Sequence, residues 1–365
     1  MTGEPTPAAM TFASEYTDNL QDLLRQSGIS LLVTTYQAGK LIIVRDAGPG
    51  TRLNVHTRTL PKPMGLAADA SRFALGTTQE ILHYTNVPSV CPKMEPKGPY
   101  DACYIQRSAH MTGDIDVHEM AYAGDGQLWF INTRFSCLCT LDANSSFVPR
   151  WRPRFVSALS PEDRCHLNGL GMMKGRPRYV TALGQGDSFE GWRPRKADGG
   201  VLIDIETNRI LCDDLCMPHS PRWHADHLWV LESGKGALCR VDYATGKRET
   251  VAQVPGFTRG LDFHGPLAFI GLSQVRDAKA FGGIPLTQNA DERTCGVWVV
   301  NINTGETVAF LRFTSGVQEI FAVSVLQGLR YPGILSVEDP LTAASYVVPQ
   351  EVLKDVVPPR VPLDS

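Results

Sequence analysis

The chain has 365 residues, 43% of them hydrophobic, which is typical of a protein with a large buried core and not of a disordered or fibrous one. Its 35 basic and 38 acidic residues give a formal net charge of −3, and the richest basic stretch, residues 150–154, is short. Nucleic-acid-binding proteins usually carry a basic face, so we expect no nucleic-acid partner.

No apolar stretch is long enough to span a bilayer, and residues 1–10 lack the charged and apolar regions of a secretory signal. The nine cysteines are irregularly spaced and form no pair of CxxC motifs, which argues against a structural zinc site. Cys137 and Cys139 alternate in a strand pattern and are expected on the same face. Unpaired thiols persist in reducing compartments, so we expect a cytoplasmic location.

Taken in chain order, the first predicted element is a helix over residues 14–27, where leucines recur at helical spacing. Short strands separated by turns follow from residue 30. Segments 30–47, 127–143 and 227–243 each read as strand, polar turn and strand, and segment 295–314 reads as the outer pair of the same unit. A short helix or a tail is predicted at residues 349–356.

A polar or glycine-containing motif precedes six small apolar strands at intervals of about 50 residues, a period typical of propeller blades. These strand-start motifs are Pro63-Met64-Gly65, His118-Glu119-Met120, His166-Leu167-Asn168-Gly169, His219-Ser220-Pro221, Thr258-Arg259-Gly260 and Gln318-Glu319-Ile320. We therefore predict an all-β protein with a single β-propeller over residues 30–348. Residues 1–29 would form a tail and a short helix, and residues 349–365 a C-terminal tail.

Six motifs favour six blades. The hairpin at residues 30–46 precedes the first motif and lacks an inner strand, which the strand at residues 321–325 would supply, so that strands from both termini close the ring. Residues 331–335 read as a further strand. If that strand continues the last blade, the N-terminal hairpin is extra and seven blades result. A β-sandwich would need fewer strands, and a parallel α/β fold would need helices between them.

The sequence SLLVTTYQAGKL at residues 30–41, with His118-Glu119 and segment 321–335, resembles a family of bacterial conserved proteins of mostly unassigned function. The resemblance covers residues 30–348 and implies a β-propeller without implying a reaction. The Glu, Asn and His of the strand-start motifs also resemble those of the gluconolactonase and senescence-marker propellers. Those proteins hold a divalent metal in the channel by carboxylate and amide oxygens, but the likeness is architectural and maps no ligand set onto this chain.

In a propeller the inner strand of each blade begins near one mouth of the channel, so equivalent residues of different blades converge there. Titratable side chains are costly to bury at that place unless they are paired or bind a ligand. The candidate catalytic residues are His118, Glu119, Asn168, Arg222, Arg259, Asp262, His264 and Glu319. Weaker candidates in loops or second strands are Tyr36, Arg107, His110 and Arg134.

His118, His166 and His219 are aligned at equivalent positions in the motifs of three blades and are candidate ligands of a divalent transition metal such as Zn, Mn, Fe, Ni or Cu. With Glu119 or Glu319 they would leave an open position for water. Because His118 and Glu119 are adjacent in a strand, only one of them is expected to face the channel. The alternative for each histidine is a hydrogen-bonded structural role.

Arg222 and Arg259 would clamp a carboxylate or phosphate of a substrate, or else pair with acidic residues of the candidate set and tie blades together. Asp262 and His264 alternate on one strand face, as an acid–base pair or as an ordinary strand-end hydrogen bond. The sequence leaves these alternatives open.

Two functions from different classes follow. The one we favour is an enzyme acting on a small molecule in the channel, with His or Glu as general base and a metal assisting. Hydrolase (lactonase-like), lyase and isomerase or cyclase chemistry are all compatible with it, and no nicotinamide or flavin motif indicates redox chemistry. The alternative is a non-catalytic scaffold that binds a protein or carbohydrate through an exposed apolar patch, to which the loop residues Trp151, Trp192 and Trp223 would contribute. A pocket with convergent His, Glu and Arg favours the enzyme, whereas a channel filled by mutually satisfied polar groups favours the scaffold.

Overall fold

Six β-sheets surround a central channel. The structure is a computed structural model that describes residues 12–275, 282–288 and 294–353. The inner strands of the sheets contact one another in a closed ring, in which each sheet touches the next and the last touches the first. The prediction of an all-β, six-bladed propeller is confirmed.

Each blade is an antiparallel sheet of four strands that follow one another from the channel outward. Blade 1 contains Ala322–Gln327, Ile29–Thr35, Lys40–Arg45 and Asn54–Thr59. Blade 2 contains Leu66–Ala68, Arg72–Gly76, Glu80–Asn86 and Ala102–Met111. Blade 3 contains Val117–Tyr122, Leu128–Asn132, Cys137–Asp142 and Ser145–Trp151. Blade 4 contains Leu167–Met173, Arg176–Ala182, Gly200–Asp204 and Arg209–Leu215. Blade 5 contains Pro218–His224, His227–Glu232, Ala237–Val241 and Arg248–Gln253. Blade 6 contains Phe257–His264, Leu267–Ser273, Gly296–Asn301 and Thr307–Ser315.

Two further strands extend the outer edges of two blades. Ala13–Tyr16 pairs antiparallel with the outer strand of blade 6, and Pro332–Leu335 pairs parallel with the outer strand of blade 2. The second pairing decides the number of blades. Because residues 332–335 lie outside blade 2 and do not continue the last blade, the N-terminal hairpin is not extra and a seventh blade does not form.

Blade 1 joins the two ends of the propeller, as the sequence predicts. Its inner strand comes from the C-terminal part of the chain and pairs with Ile29–Thr35 from the N-terminal part, with Val323 opposite Val33. All seven residues of Ile29–Thr35 are buried, which explains the unbroken apolar run in the sequence. The ring therefore closes through a ladder of backbone hydrogen bonds and leaves no open sheet edge between first and last blade.

Helices are short and few among the described residues. The α-helices are Leu20–Ser27, Pro340–Ala343 and Gln350–Leu353. The 3₁₀-helices are Pro88–Lys93, Arg193–Arg195, Ser233–Lys235 and Pro285–Gln288. None of the helices in this part of the chain is long and apolar enough to cross a membrane.

The predicted N-terminal helix is shorter than expected. Residues 13–16, which include its predicted first turn, form the edge strand on blade 6, where backbone pairing offers more hydrogen bonds than one isolated helical turn. The helix begins at Leu20, buries Leu20 and Leu24, and ends at Gly28 in the left-handed conformation. At the other terminus, the helix Gln350–Leu353 falls within the predicted segment 349–356, of which residues 354–356 lie outside the described residues.

The core is divided among the blades. Six apolar clusters are each shared by two adjacent blades, one cluster for each interface of the ring. Cys137 and Cys139 lie on the same face, as predicted, with their Sγ atoms 3.4 Å apart in the cluster between blades 2 and 3. Near the channel the inner strands approach so closely that a Cβ atom on Gly65 would lie 1.9 Å from the carbonyl oxygen of His118.

Candidate functional site

A cavity of about 200 Å³ lies at the channel mouth where the inner strands begin. All six blades or the loops that lead into them contribute to its wall. The lining residues are Tyr36, Lys62, Met64, Asp116, His118, His166, Leu183, Trp192, Arg193, Met217, His219, Phe257, Arg259 and Phe321. Of the candidates predicted from the sequence, the structure thus brings His118, His166, His219, Arg259 and Tyr36 together.

Two contacts of its Nδ1 atom hold the His118 ring in place. Its Nδ1 lies 3.0 Å from the carbonyl oxygen of Asp116 and 2.7 Å from Oγ1 of Thr133. The Thr133 hydroxyl donates to the carbonyl of Leu167 at 2.6 Å, so its lone pair faces the imidazole. A carbonyl oxygen only accepts hydrogen bonds, and this assigns the proton to Nδ1 and leaves Nε2 with a lone pair. His118 Nε2 is buried without a partner among the described residues.

His219 is held in the same way on blade 5. Its Nδ1 lies 3.0 Å from the carbonyl oxygen of Met217 and 2.9 Å from Oγ of Ser233. The proton is again assigned to Nδ1 and the lone pair to Nε2. Burial, followed by the positive charge of Arg259, lowers the pKa of His219 well below its ordinary value of 6.5. The residue is therefore neutral at pH 7.

Blade 4 departs from this pattern. The position equivalent to His118 and His219 is occupied by Asn168, whose Oδ1 accepts a hydrogen bond of 2.6 Å from Thr181. His166 stands two residues earlier, at the position of Asp116 on blade 3, and both residues have positive φ angles near 50°. The alignment of the motifs placed the three histidines at equivalent positions, and this was wrong for His166. Its left-handed backbone turns the side chain to the cavity from a different level.

His166 forms a histidine–carboxylate pair. Its Nδ1 lies 2.8 Å from Oδ2 of Asp163, and Nε1 of Trp192 donates to the same oxygen at 3.1 Å. The Trp192 ring packs on the imidazole with 4.7 Å between ring centroids, and the His118 ring lies edge-on at 5.0 Å. The Asp163 carboxylate accepts the hydrogen bond of His166 Nδ1 and so fixes the orientation of the ring.

Asp116 carries a negative charge at the cavity wall. Its Oδ1 lies 3.3 Å from Nζ of Lys62, and its Oδ2 lies 3.8 Å from Nδ1 of His118. Burial works against this charge, but the neighbouring His118, His166 and Lys62 together lower the pKa of Asp116 to about 2. Burial in turn lowers the pKa of His118 well below 6.5, against the attraction of Asp116. Asp116 is thus ionised and His118 neutral at pH 7.

Arg259 faces the cavity from blade 6. Its Cζ lies 3.6 Å from the centroid of the Phe321 ring and 5.9 Å from that of Tyr36. Among the described residues no carboxylate lies within ion-pair distance of Arg259. Glu319, the predicted partner or catalytic residue, instead lies near the hydroxyl of Tyr36. Burial raises the pKa of Tyr36 well above its ordinary value, against the pull of Arg259, so the phenol keeps its proton.

Deeper in the channel, a second group of candidates is used by the protein itself. Arg222 on blade 5 binds both carboxylate oxygens of Glu119 on blade 3, at 3.0 and 3.1 Å. The same carboxylate accepts from the backbone N–H of Leu170 on blade 4 at 2.7 Å, and Arg222 donates to the carbonyl of Leu261 on blade 6 at 2.9 Å. Burial opposes the charge of Arg222, but Glu119 raises its pKa. The sequence left two roles open for Arg222, and the structure shows the one in which it ties blades together.

Asp262 and His264 do not form an acid–base pair. Asp262 accepts a hydrogen bond of 2.8 Å from the backbone N–H of Val325 on blade 1, and burial raises its pKa. His264 is bonded through Nδ1 to Oε1 of Gln327 at 2.6 Å. The weaker candidates outside the cavity wall each bind elsewhere: Arg107 to Ser345, His110 to Ser145 and Ser146, and Arg134 to Asp114.

The three histidines do not form a ready metal site. Within the part of the chain that the structure describes, no three His, Cys, Asp or Glu side chains are grouped so as to hold a metal ion. The donors are nevertheless individually suited to ligation, because a metal-binding imidazole usually donates its other ring N–H to a carbonyl or carboxylate. His118, His166 and His219 all do so.

Several wall residues escaped the sequence reasoning. Lys62, Asp116 and Met217 each stand two residues before a cavity-lining residue of a strand-start motif, and all three have φ angles near 50°. The two-residue offset could be read from the sequence, but the left-handed backbone conformation of these residues could not. The loops of blade 4 supply Trp192 to the wall and Asp163 as the partner of His166. These two residues meet only in the folded chain, so no periodic signal marks them.

Comparisons with known proteins support the fold. The crystal structure of a nidogen/laminin complex contains a chain 10% identical to this one, with a TM-score of 0.51, covering 82% of this chain and 98% of that chain. A protein of unknown function from Bacteroides caccae is 11% identical, with a TM-score of 0.50, covering 82% and 99%. A catalytically inactive virginiamycin B lyase from Staphylococcus aureus, solved with quinupristin, is 9% identical, with a TM-score of 0.41, covering 83% and 99%. At such identities the likeness to the first two structures shows the fold alone.

Comparison with proteins of curated function finds no significant match. One family model matches residues 18–335, which is most of the chain and includes strands of all six blades. The match thus covers the strand-start motifs, the channel and the cavity wall. On this basis the chain belongs to the family described as Domain of unknown function (DUF4915).

Proposed function

We propose that this protein is an enzyme that acts on a small molecule bound in the mouth cavity. His166, oriented by Asp163, would be the acid–base residue, and Arg259 would bind a negatively charged group of the substrate. One observation carries the proposal: three imidazoles, each held through Nδ1 by a protein oxygen, and an arginine without a carboxylate partner among the described residues line one cavity.

The chemistry follows from the histidine–carboxylate pair. Asp163 accepts the Nδ1 proton of His166 at 2.8 Å, which fixes the ring and stabilises the imidazolium that forms when Nε2 takes a proton. Proton transfer by a histidine is a step that lyases, isomerases and hydrolases share, and the proposal extends to that step. Trp192 covers the imidazole and limits the access of water, which strengthens the interaction with Asp163.

The pairing of the polar groups in the channel bears on the choice between an enzyme and a scaffold. The deeper part of the channel, with Glu119, Arg222 and Asp262, is filled by mutually satisfied groups, as a scaffold would require. The mouth is different, since His118 Nε2 is buried without a partner and Arg259 has no counter-ion among the described residues. Trp192, one of the loop tryptophans that a scaffold would expose, is 3% exposed in the cavity wall. These observations favour the enzyme.

A second candidate function adds a divalent transition metal at the same cavity. It is favoured by the Nδ1 contacts of His118, His166 and His219, which leave every Nε2 available for a metal. Since no three ligands are grouped in the described residues, binding would have to draw these side chains together. Such a metal would polarise a substrate carbonyl or lower the pKa of a bound water.

The proposed acid–base role is tested with two variants, His166→Gln and Asp163→Asn. The purified protein is screened by NMR for turnover of small carboxylates, alcohols, esters and lactones. We expect turnover of an identified substrate to fall by about 10²–10⁴-fold in His166→Gln, with substrate binding retained. His264→Gln is the matched control, because His264 lies outside the cavity. Full turnover by His166→Gln would contradict the proposal.

The metal candidate is tested by elemental analysis of protein never exposed to chelator, beside the triple variant His118→Ala, His166→Ala, His219→Ala. Near-stoichiometric metal that is lost in the folded triple variant would support it. If the native protein contains no metal and takes none up on reconstitution with Zn, Mn, Fe, Ni or Cu, the metal candidate is wrong and the metal-free acid–base mechanism stands alone.

A further inference from the structure

The polar groups of the mouth cavity require two different things of a ligand. Arg259 offers a partly buried cation that has no carboxylate within ion-pair distance among the described residues. Its guanidinium carbon lies 3.6 Å from the centroid of the Phe321 ring, so the cation rests against an aromatic side chain of the cavity wall. A planar anion that accepts two parallel hydrogen bonds fits this arrangement.

The histidines require a hydrogen-bond donor on the ligand. His118 and His219 are neutral, each with its proton on Nδ1 in a bond to a backbone carbonyl. Their Nε2 atoms can therefore only accept hydrogen bonds, and that of His118 has no partner among the described residues. A ligand that satisfies them must carry a hydrogen-bond donor, and a hydroxyl group is the smallest oxygen group that supplies one.

Apart from Tyr36 and the paired Lys62, Asp116 and Arg193, the remaining wall is apolar, which limits the body of the ligand. Met64, Leu183, Met217 and Phe257 line it together with Trp192. The volume of about 200 Å³ lies below the range of about 300–1,000 Å³ that drug-sized ligands occupy. At the packing density of protein interiors it holds roughly a dozen non-hydrogen atoms. A polyol would leave most of its hydroxyls facing apolar side chains, without partners.

We propose that the natural ligand of this cavity is a small hydroxycarboxylate with an apolar body. This rests on the proposed function for the location of the site and adds the class of substrate. The carboxylate binds the guanidinium of Arg259, the hydroxyl donates to Nε2 of His118 or His219, and the apolar body packs on the aromatic and methionine side chains. A carboxylate is favoured over a phosphate because the other cations of the wall are already paired, Lys62 with Asp116 at 3.3 Å and Arg193 with Glu190 at 2.5 Å.

The experiment compares matched probes by isothermal titration calorimetry, on full-length protein treated with EDTA to remove metal. Mandelate carries the carboxylate, the hydroxyl and an apolar ring. Phenylacetate lacks the hydroxyl, and 1-phenylethanol lacks the carboxylate. We expect mandelate to bind about tenfold more tightly than phenylacetate, since the analogue leaves a buried acceptor unpaired, and we expect no measurable binding of 1-phenylethanol.

Variants assign the two contacts. Arg259→Met is expected to abolish binding of both carboxylates, whereas Arg52→Met, at an exposed position outside the cavity, changes neither. His118→Gln is expected to weaken mandelate about tenfold and leave phenylacetate within about twofold, which a general disturbance of the cavity would not do. Melting temperatures establish that each variant is folded, and His219→Gln replaces His118→Gln if the latter fails to fold.

Three results would overturn the proposal. They are equal affinity for mandelate and phenylacetate, tighter binding of inorganic phosphate than of mandelate, and tighter binding of gluconate, whose body is polar. If a neutral compound is turned over in a manner that needs His166, the ligand class is wrong and the proposed enzyme function stands. If mandelate binds as expected but no hydroxycarboxylate is turned over, the ligand class stands and the enzyme function is wrong.

Discussion

The substitution Arg222→Met would test whether the deeper channel holds the ring of blades together. The Arg222 guanidinium joins the Glu119 carboxylate to the carbonyls of Leu170, Pro221 and Leu261, so four blade segments lose a contact at once. Removing one partner of a buried ion pair costs about 3–5 kcal/mol, and we take about 3 kcal/mol because the Arg222 side chain is 25% exposed. For 365 residues the unfolding entropy is about 0.75 kcal/mol/K, which converts this into a fall in melting temperature of about 4 °C.

The assay is thermal unfolding by circular dichroism at pH 7 and moderate salt. The matched control is Arg240→Met, also on blade 5, whose ion pair with Glu249 is exposed and is expected to contribute less than about 1 kcal/mol. The double variant Glu119→Gln, Arg222→Met should be more stable than Arg222→Met alone, because it removes the buried unpaired charge. A melting temperature of Arg222→Met equal to that of the control, or a double variant less stable than both single variants, would refute the reasoning.

Four further predictions concern stability and packing. The pKa of Asp116 is lowered from 3.8 to about 2 in the folded state, so its contribution to stability is present above pH 4 and is lost as the pH falls from about 4 to 2. Asp116→Asn should therefore weaken the fall of the melting temperature over this acidic range. An unchanged fall would contradict this prediction. Gly65→Ala should destabilise the fold far more than Gly124→Ala, since a Cβ on Gly65 would lie 1.9 Å from a backbone oxygen whereas one on Gly124 has 3.7 Å of space; equal melting temperatures would show that the strands can separate cheaply. A chain ending at Val317 lacks the inner strand of blade 1 and should show no cooperative unfolding, and a cooperative transition would mean that closure is dispensable. All nine cysteines are buried, so the native protein should react with less than one equivalent of a thiol reagent such as DTNB, and the unfolded protein with nine; fast reaction of several thiols in the native state would contradict the packing.

The repeat of strand-start motifs predicted the propeller and its closure and favoured six blades, with seven left open. Each motif marks the place where an inner strand begins, and the hairpin 30–46 lacked an inner strand that residues 321–325 were expected to supply. These features are local in sequence or follow from counting strands, and a buried strand can be recognised directly from its apolar pattern. The same reasoning placed His118, His219 and Arg259 at the channel mouth.

The sequence could not assign partners across blades. Glu119 and Arg222 pair with each other, whereas His118 and Arg259 face the cavity. No local feature of the sequence separates these two roles, because pairing depends on contacts between residues about a hundred positions apart. The parallel pairing of residues 332–335 with blade 2 was equally invisible, since an edge strand and an inner strand have similar apolar patterns. The tertiary structure alone decided which strand was which.

By itself, then, the sequence determined the architecture and the positions at which functional residues would gather, because strand periodicity and turn chemistry are local properties. The tertiary structure decided which of those residues are free to act. The left-handed backbone at His166, the Asp163 carboxylate behind it and the Trp192 ring over it come from loops that meet only after the ring has closed. Side-chain protonation and pairing depend on burial and on distances through space, and for that reason only the folded chain separates the channel into a structural lower part and a candidate site at its mouth.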